Sequence, residues 1–235
     1  MIFVNQRIAF WIKNSFIVAL LVILPNSFVS AKVDISSDFA NWTGLFFQAD
    51  FDKPIGYYLE VQDRINQNLS VGNRFIVRPA VRFNILPGLS LWAGYGWLPA
   101  FSPFLNESRL WQQAFYQFDT RLWQFIGRLR VDERWLGNTD ALAYRGRIMV
   151  RVLKFIGQRD SLALCGWSEY FQNLNTVIGG PQAGFDQSRS FLGINFPIAK
   201  GILIEPGYSN VLVNQPQSSA KTMNHVFLLY GIFNI

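Results

Sequence analysis

Cysteine and histidine are almost absent, with one of each, Cys165 and His225, in 235 residues. A lone cysteine cannot close an internal disulfide, which excludes a disulfide scaffold and leaves Cys165 as a small packed residue. No His or Cys cluster stands at ligand spacing, so there is no zinc-type signal around acids such as Glu169 or Asp186. The acid-containing loops lack a calcium-loop pattern as well. Gly179-Gly180 lacks the strand-to-helix setting of a phosphate cradle. No metal and no cofactor are expected. Charge is also scarce: 15% of residues are charged, while half are apolar and 16% aromatic. A soluble domain carries about a quarter charged residues. The deficit fits a large core, or a surface that faces something other than water.

Long apolar runs are missing beyond the N-terminus. Residues 1–15 carry Arg7 and Lys13 and no acid, and an apolar run over 16–24 ends at Pro25-Asn26-Ser27. Val29-Ser30-Ala31 then offers the small residues of a signal-peptidase site. The run is shorter than the roughly 20 residues of a membrane helix. Residues 1–31 read as a cleaved signal peptide and 32–235 as the exported domain. The mature chain then holds 19 basic and 15 acidic residues, a net +4. So modest an excess, without a basic face or tail, does not indicate nucleic acid. If the domain enters a membrane after export, it must do so as a closed barrel, because only helices and closed barrels satisfy every backbone group in lipid.

From Asn41 onward, segments of about 10 residues alternate apolar and polar positions between turn residues, the signature of a transmembrane barrel. Over 74–83 one face reads Phe75, Val77, Pro79, Val81, Phe83 and the other Arg74, Ile76, Arg78, Ala80, Arg82. Over 89–97 Leu89, Leu91, Ala93, Tyr95 and Trp97 oppose Ser90, Trp92, Gly94 and Gly96. Leu129 and Val131 oppose Arg128, Arg130, Asp132 and Arg134, and Ile148, Val150 and Val152 oppose Arg145, Arg147 and Arg151. Aromatics near strand ends (Trp42, Phe51, Tyr57, Trp97, Trp135) suggest interface girdles. Short connections near 52–56, 84–88, 119–120, 155–160 and 197–201 alternate with longer ones near 66–73, 99–107, 136–141, 173–184 and 213–222. The expected fold is all-β, a single antiparallel transmembrane meander barrel of ten to twelve strands. The segments count to about eleven, whereas such barrels have even numbers. Twelve results if 32–39 forms a short first strand, and ten if one strand is wrongly split.

Several motifs, in order, carry a family resemblance: Trp42-Thr43-Gly44, Arg74 with Arg78-Pro79, the run 107–113 (Glu-Ser-Arg-Leu-Trp-Gln-Gln), the run 128–134 (Arg-Leu-Arg-Val-Asp-Glu-Arg), Gly184-Phe185-Asp186-Gln187 with Arg189, and Met223-Asn224-His225. Together they resemble the bacterial family of predicted outer-membrane barrels catalogued as domain of unknown function 2490. The resemblance covers nearly all the mature chain, implies the bacterial outer membrane and the barrel fold, and brings no activity. The final segment ends at Phe233 and Ile235 without a polar tail. It resembles the C-terminal signal read by the barrel-insertion machinery, although that signal most often ends in Phe. Outer-membrane lipids and that machinery are the expected partners.

The arginines carry the functional expectation. Arg74, Arg78, Arg82, Arg128, Arg130, Arg134, Arg145, Arg147 and Arg151 are expected to line the lumen, outnumbering the candidate inward acids Asp50, Glu60, Asp132, Glu169 and Glu205. Rings of arginine favour anions in pores, which points to small anionic solutes. An internal salt-bridge network that fills a narrow barrel is the other reading of the same residues. A lipid hydrolase would need His225 as its base, oriented by Asn224, with Ser188, Ser190 or Ser209 as nucleophile. No nucleophile motif marks any of these serines, so no catalytic residue is assigned. A soluble periplasmic ligand-binding β protein remains a further alternative.

Overall fold

Strand follows strand because the alternating faces leave no helical stripe: β-branched and aromatic residues recur at every second position, as a pleated sheet places them. The computed structural model describes residues 35–66, 68–101, 103–215 and 220–235, and no helix occurs among them. The expected signal peptide lies outside the described residues. Thirteen strands follow in order: β1 (Ile35–Ala49), β2 (Ile55–Asn66), β3 (Val71–Leu86), β4 (Leu89–Trp97), β5 (Ala100–Phe101), β6 (Phe104–Leu105), β7 (Glu107–Asp119), β8 (Trp123–Leu136), β9 (Ala143–Phe155), β10 (Ala163–Asn173), β11 (Gly184–Ala199), β12 (Ile202–Asn214) and β13 (Lys221–Asn234). The two-residue strands β5 and β6 form the tip of the β4–β7 connection. The other eleven close into a barrel.

Each of these eleven pairs with its sequence neighbours antiparallel. The ring then closes through β1 and β13, which run parallel in unbroken register from Ile35 opposite Lys221 to Gln48 opposite Asn234. The barrel is therefore mixed, not strictly antiparallel as expected, and the reason is parity. A meander of odd number brings its first and last strands side by side pointing the same way. The count is neither ten nor twelve, because β1 is one continuous strand that joins Ile35 to Phe39 with the segment after Asn41. Closure removes the exposed edges that an open sheet would present.

The connections sort largely as expected, but the β9–β10 connection at the tight-turn end spans seven residues and the β2–β3 connection at the opposite end only four. One end carries tight turns such as Lys200-Gly201, where Gly201 takes a φ of +76° that a side chain would disfavour. The opposite end carries the longer segments, including those between β4 and β7 and between β10 and β11. β1 starts at the long-loop end and β13 finishes at the tight-turn end, so Ile35 and Asn234 lie at opposite rims.

The two faces of the wall differ sharply. Outward positions expose Leu45, Leu59, Phe83, Leu91, Leu129, Ile148, Leu164, Leu192 and Phe227. Charged residues facing outward on the barrel strands, among the described residues, are Asp63, Glu133, Lys154 and Lys221. Each sits within four positions of a strand end. Inward positions bury Glu60, Arg78, Glu107, Arg109, Arg130, Asp132, Arg145, Glu169 and Glu205. Tyr57, Trp97 and Trp135 face outward. Trp42 and Phe51 do not: Trp42 is buried on the lumen side, and Phe51 turns inward against Trp92. On β1 both faces carry aromatics, so alternation could not tell Trp42 from Phe47.

Apolar groups fill one side of the interior, where Leu153, Phe155, Ala163, Cys165 and Phe191 pack with Val211, Val226, Leu228, Ala40 and Trp42. Cys165 is buried there with a free thiol, the packed residue its isolation suggested. On the facing wall Trp111 lies flat over Gly94, where an added Cβ would meet the indole. Gly94→Ala is therefore expected to destabilise the barrel by about 1–3 kcal/mol through overpacking. Gly127→Ala, where a Cβ meets nothing within 4 Å, should stay within about 0.5 kcal/mol of the parent. Urea unfolding of the refolded protein, followed by tryptophan fluorescence, checks both.

Candidate functional site

All nine arginines expected in the lumen point into it. Arg82, Arg128, Arg130 and Arg151 line a cavity of about 790 Å³ that reaches the tight-turn end. Arg74 and Arg145 line a smaller chamber of about 240 Å³ toward the long-loop end. Arg78 and Arg147 border both cavities, and Arg134 binds Glu107 beside them. Three further inward arginines escaped sequence reading: Arg64, Arg109 and Arg189. Arg109 shares the face of Trp111 and Gln113, a parity that was available in the sequence. Arg64 and Arg189 stand in segments where polar residues fall on both faces, so alternation gave no signal.

Six carboxylates oppose these twelve arginines. Glu60, Asp132, Glu169 and Glu205 point inward as expected. Asp50 does not, since it occupies the β1–β2 turn and pairs with Lys53 at 2.6 Å. Glu107, assigned to a loop by sequence reading, opens β7 and is nearly fully buried. Asp186 enters through a bulge, where the β10–β11 register shifts beside Phe171 and Gln172. The bulge lets Asp186 turn inward although its neighbour Gln187 is also buried.

The arginine-rich hairpin β8–β9 places Arg130 opposite Arg147 and Asp132 opposite Arg145. Acids separate the like charges. Asp132 binds Arg145 at 2.8 Å and Arg147 at 3.5 Å, and Glu169 bridges Arg147 and Arg128. Glu107 holds Arg109 and Arg134 at 2.6 Å each and Arg74 at 3.7 Å. Arg78 reaches Glu60 at 2.7 Å, and Arg145 also binds Asp186 at 3.1 Å. Arg151 grips both oxygens of Glu205, which additionally accepts from Asn195. Glu169 and Asp186 thus serve as arginine partners.

Four arginines, Arg64, Arg82, Arg130 and Arg189, form no ion pair with any described residue. Each lies instead against an aromatic face. Arg64 sits 3.9 Å from the centre of the Trp42 ring, Arg130 4.0 Å from Trp111, Arg82 4.5 Å from Phe51, and Arg189 4.6 Å from Phe171. A guanidinium stacked on a ring gains from the quadrupole while keeping most of its N–H donors free. Arg130 uses two of them on Gln113, and Arg64 two on Gln62. The twelve arginines exceed the six acids, so the lumen carries a net positive charge.

His225 stands on the other side of the wall. It faces outward between Phe39 and Tyr208, whose hydroxyl bonds its Nδ1 at 2.5 Å. Ser209 points inward and is fully buried, so the sheet separates the two. Ser190 faces outward and meets Ser168. No serine–histidine pair is formed among the described residues.

Glu205 gives a direct test of this network, because it has no exposed surface. Glu205→Gln leaves the Arg151 guanidinium buried beside a neutral amide and should cost about 3–5 kcal/mol. The double change Arg151→Met with Glu205→Met removes both charges and should recover most of that loss. Urea unfolding midpoints of the three proteins check the expectation.

Residues 39–222 match the family described as protein of unknown function (DUF2490). An uncharacterized protein of Methylorubrum extorquens is similar, at 28% identity over 181 residues, covering 74% of this chain and 78% of the relative.

Proposed function

The chain belongs to the DUF2490 family, and we propose that it is a bacterial outer-membrane β-barrel that binds or passes small anionic solutes through its arginine-lined lumen. The carrying observation is the inverted polarity of the wall. Apolar side chains cover the outside, outward charges stay near strand ends, and twelve arginines against six acids fill the inside. A charge at mid-membrane on a barrel's outer face costs about 2–4 kcal/mol, and the distribution avoids that cost. The inward excess of arginine supports anions as the solute, since arginine rings favour them in pores. The outward-facing Tyr57, Trp97 and Trp135 suit the girdles of such a barrel.

Insertion with the tight turns in the periplasm and the longer connections outside follows the usual arrangement of such barrels. Ile178, in the β10–β11 connection, is 97% exposed. Ile178→Cys should react with a membrane-impermeant maleimide on intact cells. The native Cys165 is fully buried and should stay silent. Labelling only after cell disruption would overturn this orientation, and recovery of the native protein in the soluble periplasm without detergent would overturn the membrane reading.

Planar-bilayer recordings under a salt gradient test the solute. Anion-selective conductance is expected, and Arg64→Gln combined with Arg82→Gln and Arg189→Gln should move the reversal potential toward the unselective value. These three arginines are chosen because none pairs with a described acid, so their loss strands no carboxylate. Equal passage of cations and anions, or an electrically silent inserted barrel, would remove the conduction half of the proposal.

A further inference from the structure

The smaller chamber of the lumen has an unusual wall. Fourteen residues line it, seven of them arginines and none a carboxylate. Five of these arginines are salt-bridged to acids that do not line the chamber, Glu60, Glu107, Asp132, Glu169 and Asp186. The remaining two, Arg64 and Arg189, converge on a single indole, with guanidinium carbons 3.9 Å and 5.0 Å from the Trp42 ring centre. Two cations brought together with no acid in salt-bridge contact favour an anionic guest, since a ring quadrupole does not cancel a formal charge.

Unpartnered polar atoms gather at the same place. Trp42 Nε1, Asn66 Oδ1, Arg189 Nε and Asn224 Oδ1 are buried without a hydrogen-bond partner, and all four residues line the chamber. Trp42 is only 4% exposed. An orphaned buried polar group costs about 1–3 kcal/mol, so two donors and two amide oxygens left unpartnered in one chamber mark a place where a guest bonds to them. The two N–H groups can only donate, and either asparagine can present its NH₂ by rotating its amide. Donors arriving from several directions suit a compact oxyanion with acceptors all around it, and guanidinium matches phosphate oxygens in a fork. A volume of about 240 Å³ is below the roughly 300–1,000 Å³ of drug-sized sites, which restricts the guest to a small one.

We propose that this chamber binds a small phosphate-class dianion, either free inorganic phosphate or a small phosphate monoester, held between Arg64 and Arg189 with the Trp42 N–H as an added donor. The inference rests on the anionic-solute reading of the lumen and names its ligand class.

Calorimetric titration of the detergent-refolded protein in chloride buffer, with inorganic phosphate and separately with glycerol phosphate, tests it. Saturable binding of at least one is expected, and the tighter of the two identifies the source. Arg64→Gln and Arg189→Gln should each weaken binding by at least about tenfold, the loss of one charge-assisted contact. Lys154→Gln removes a positive charge from the outer wall and should leave affinity within about twofold, because solvent screens it. Asn224→Asp, which puts a carboxylate into the chamber, should abolish binding and serves as a second probe if an arginine variant does not fold. No saturable binding by the parent protein, or binding unchanged in the arginine variants, would overturn the proposal. The two readings fail separately. Phosphate binding by an electrically silent barrel keeps this site and removes conduction, whereas anion-selective conductance without phosphate binding does the reverse.

Discussion

Twelve guanidiniums sharing one closed lumen repel one another, and the arrangement of the interior answers that repulsion. Two unit charges about 5 Å apart at an effective dielectric near 20 repel by about 3 kcal/mol. Unrelieved, the β8–β9 hairpin alone would be untenable, with Arg130 directly opposite Arg147. Relief comes from sharing. Glu107 serves three arginines, Asp132 two and Glu169 two. Each shared acid lies between strands, so the charge network also ties the wall together across β3, β7, β8, β9 and β10. Where acids run out, Trp42, Trp111, Phe51 and Phe171 supply ring faces. That explains why large aromatics lie in a polar lumen at all, and why Trp42, midway along β1, faces the inside.

The closure of the barrel obeys a different constraint. Ten strands in a meander would return the chain antiparallel to its start, but eleven cannot. The wall is sealed only because β1 and β13 hold a parallel register along almost their whole length. Parallel pairing is slightly weaker per residue, and length offsets the weakness. Inside the seam Ala40, Trp42, Val226 and Leu228 pack together, so the joint is apolar where the opposite wall is charged. The same parity places the start of β1 and the end of β13 at opposite rims, so Ile35 and Asn234 are separated across the barrel.

What is local in the fold is legible in the sequence. Period-two alternation fixes the face of each residue once a strand is recognised, so Arg74 to Arg82 and Arg128 to Arg151 could be pointed inward from spacing alone. The long and short connections were legible for the same reason, since turn residues are local punctuation. Closure was not legible, because nothing within β1 declares which way its distant partner runs. The acids were harder than the arginines. Glu107 sits beside a Pro-containing connection that masks the start of β7, and Asp186 turns inward only through a bulge, which breaks the period-two parity of the strand. Arg64 and Arg189 give no signal because their strands mix polar residues on both faces.

The remaining positive charge is what the acids leave undone. Six carboxylates bind eight arginines, and the ring faces that hold the other four orient them without neutralising them. The uncancelled charge is also not evenly spread. Where the two cavities meet, Arg64, Arg78, Arg147 and Arg189 border both, and two of the four lack an acid. The unpaired charge therefore concentrates where the two cavities meet. A merely structural network would gain by placing an acid there, since each unpaired guanidinium carries the desolvation penalty of a buried charge. Leaving acids out of the smaller chamber, while spending them just behind its wall, makes the positive field a feature of the lumen and not a by-product of its packing.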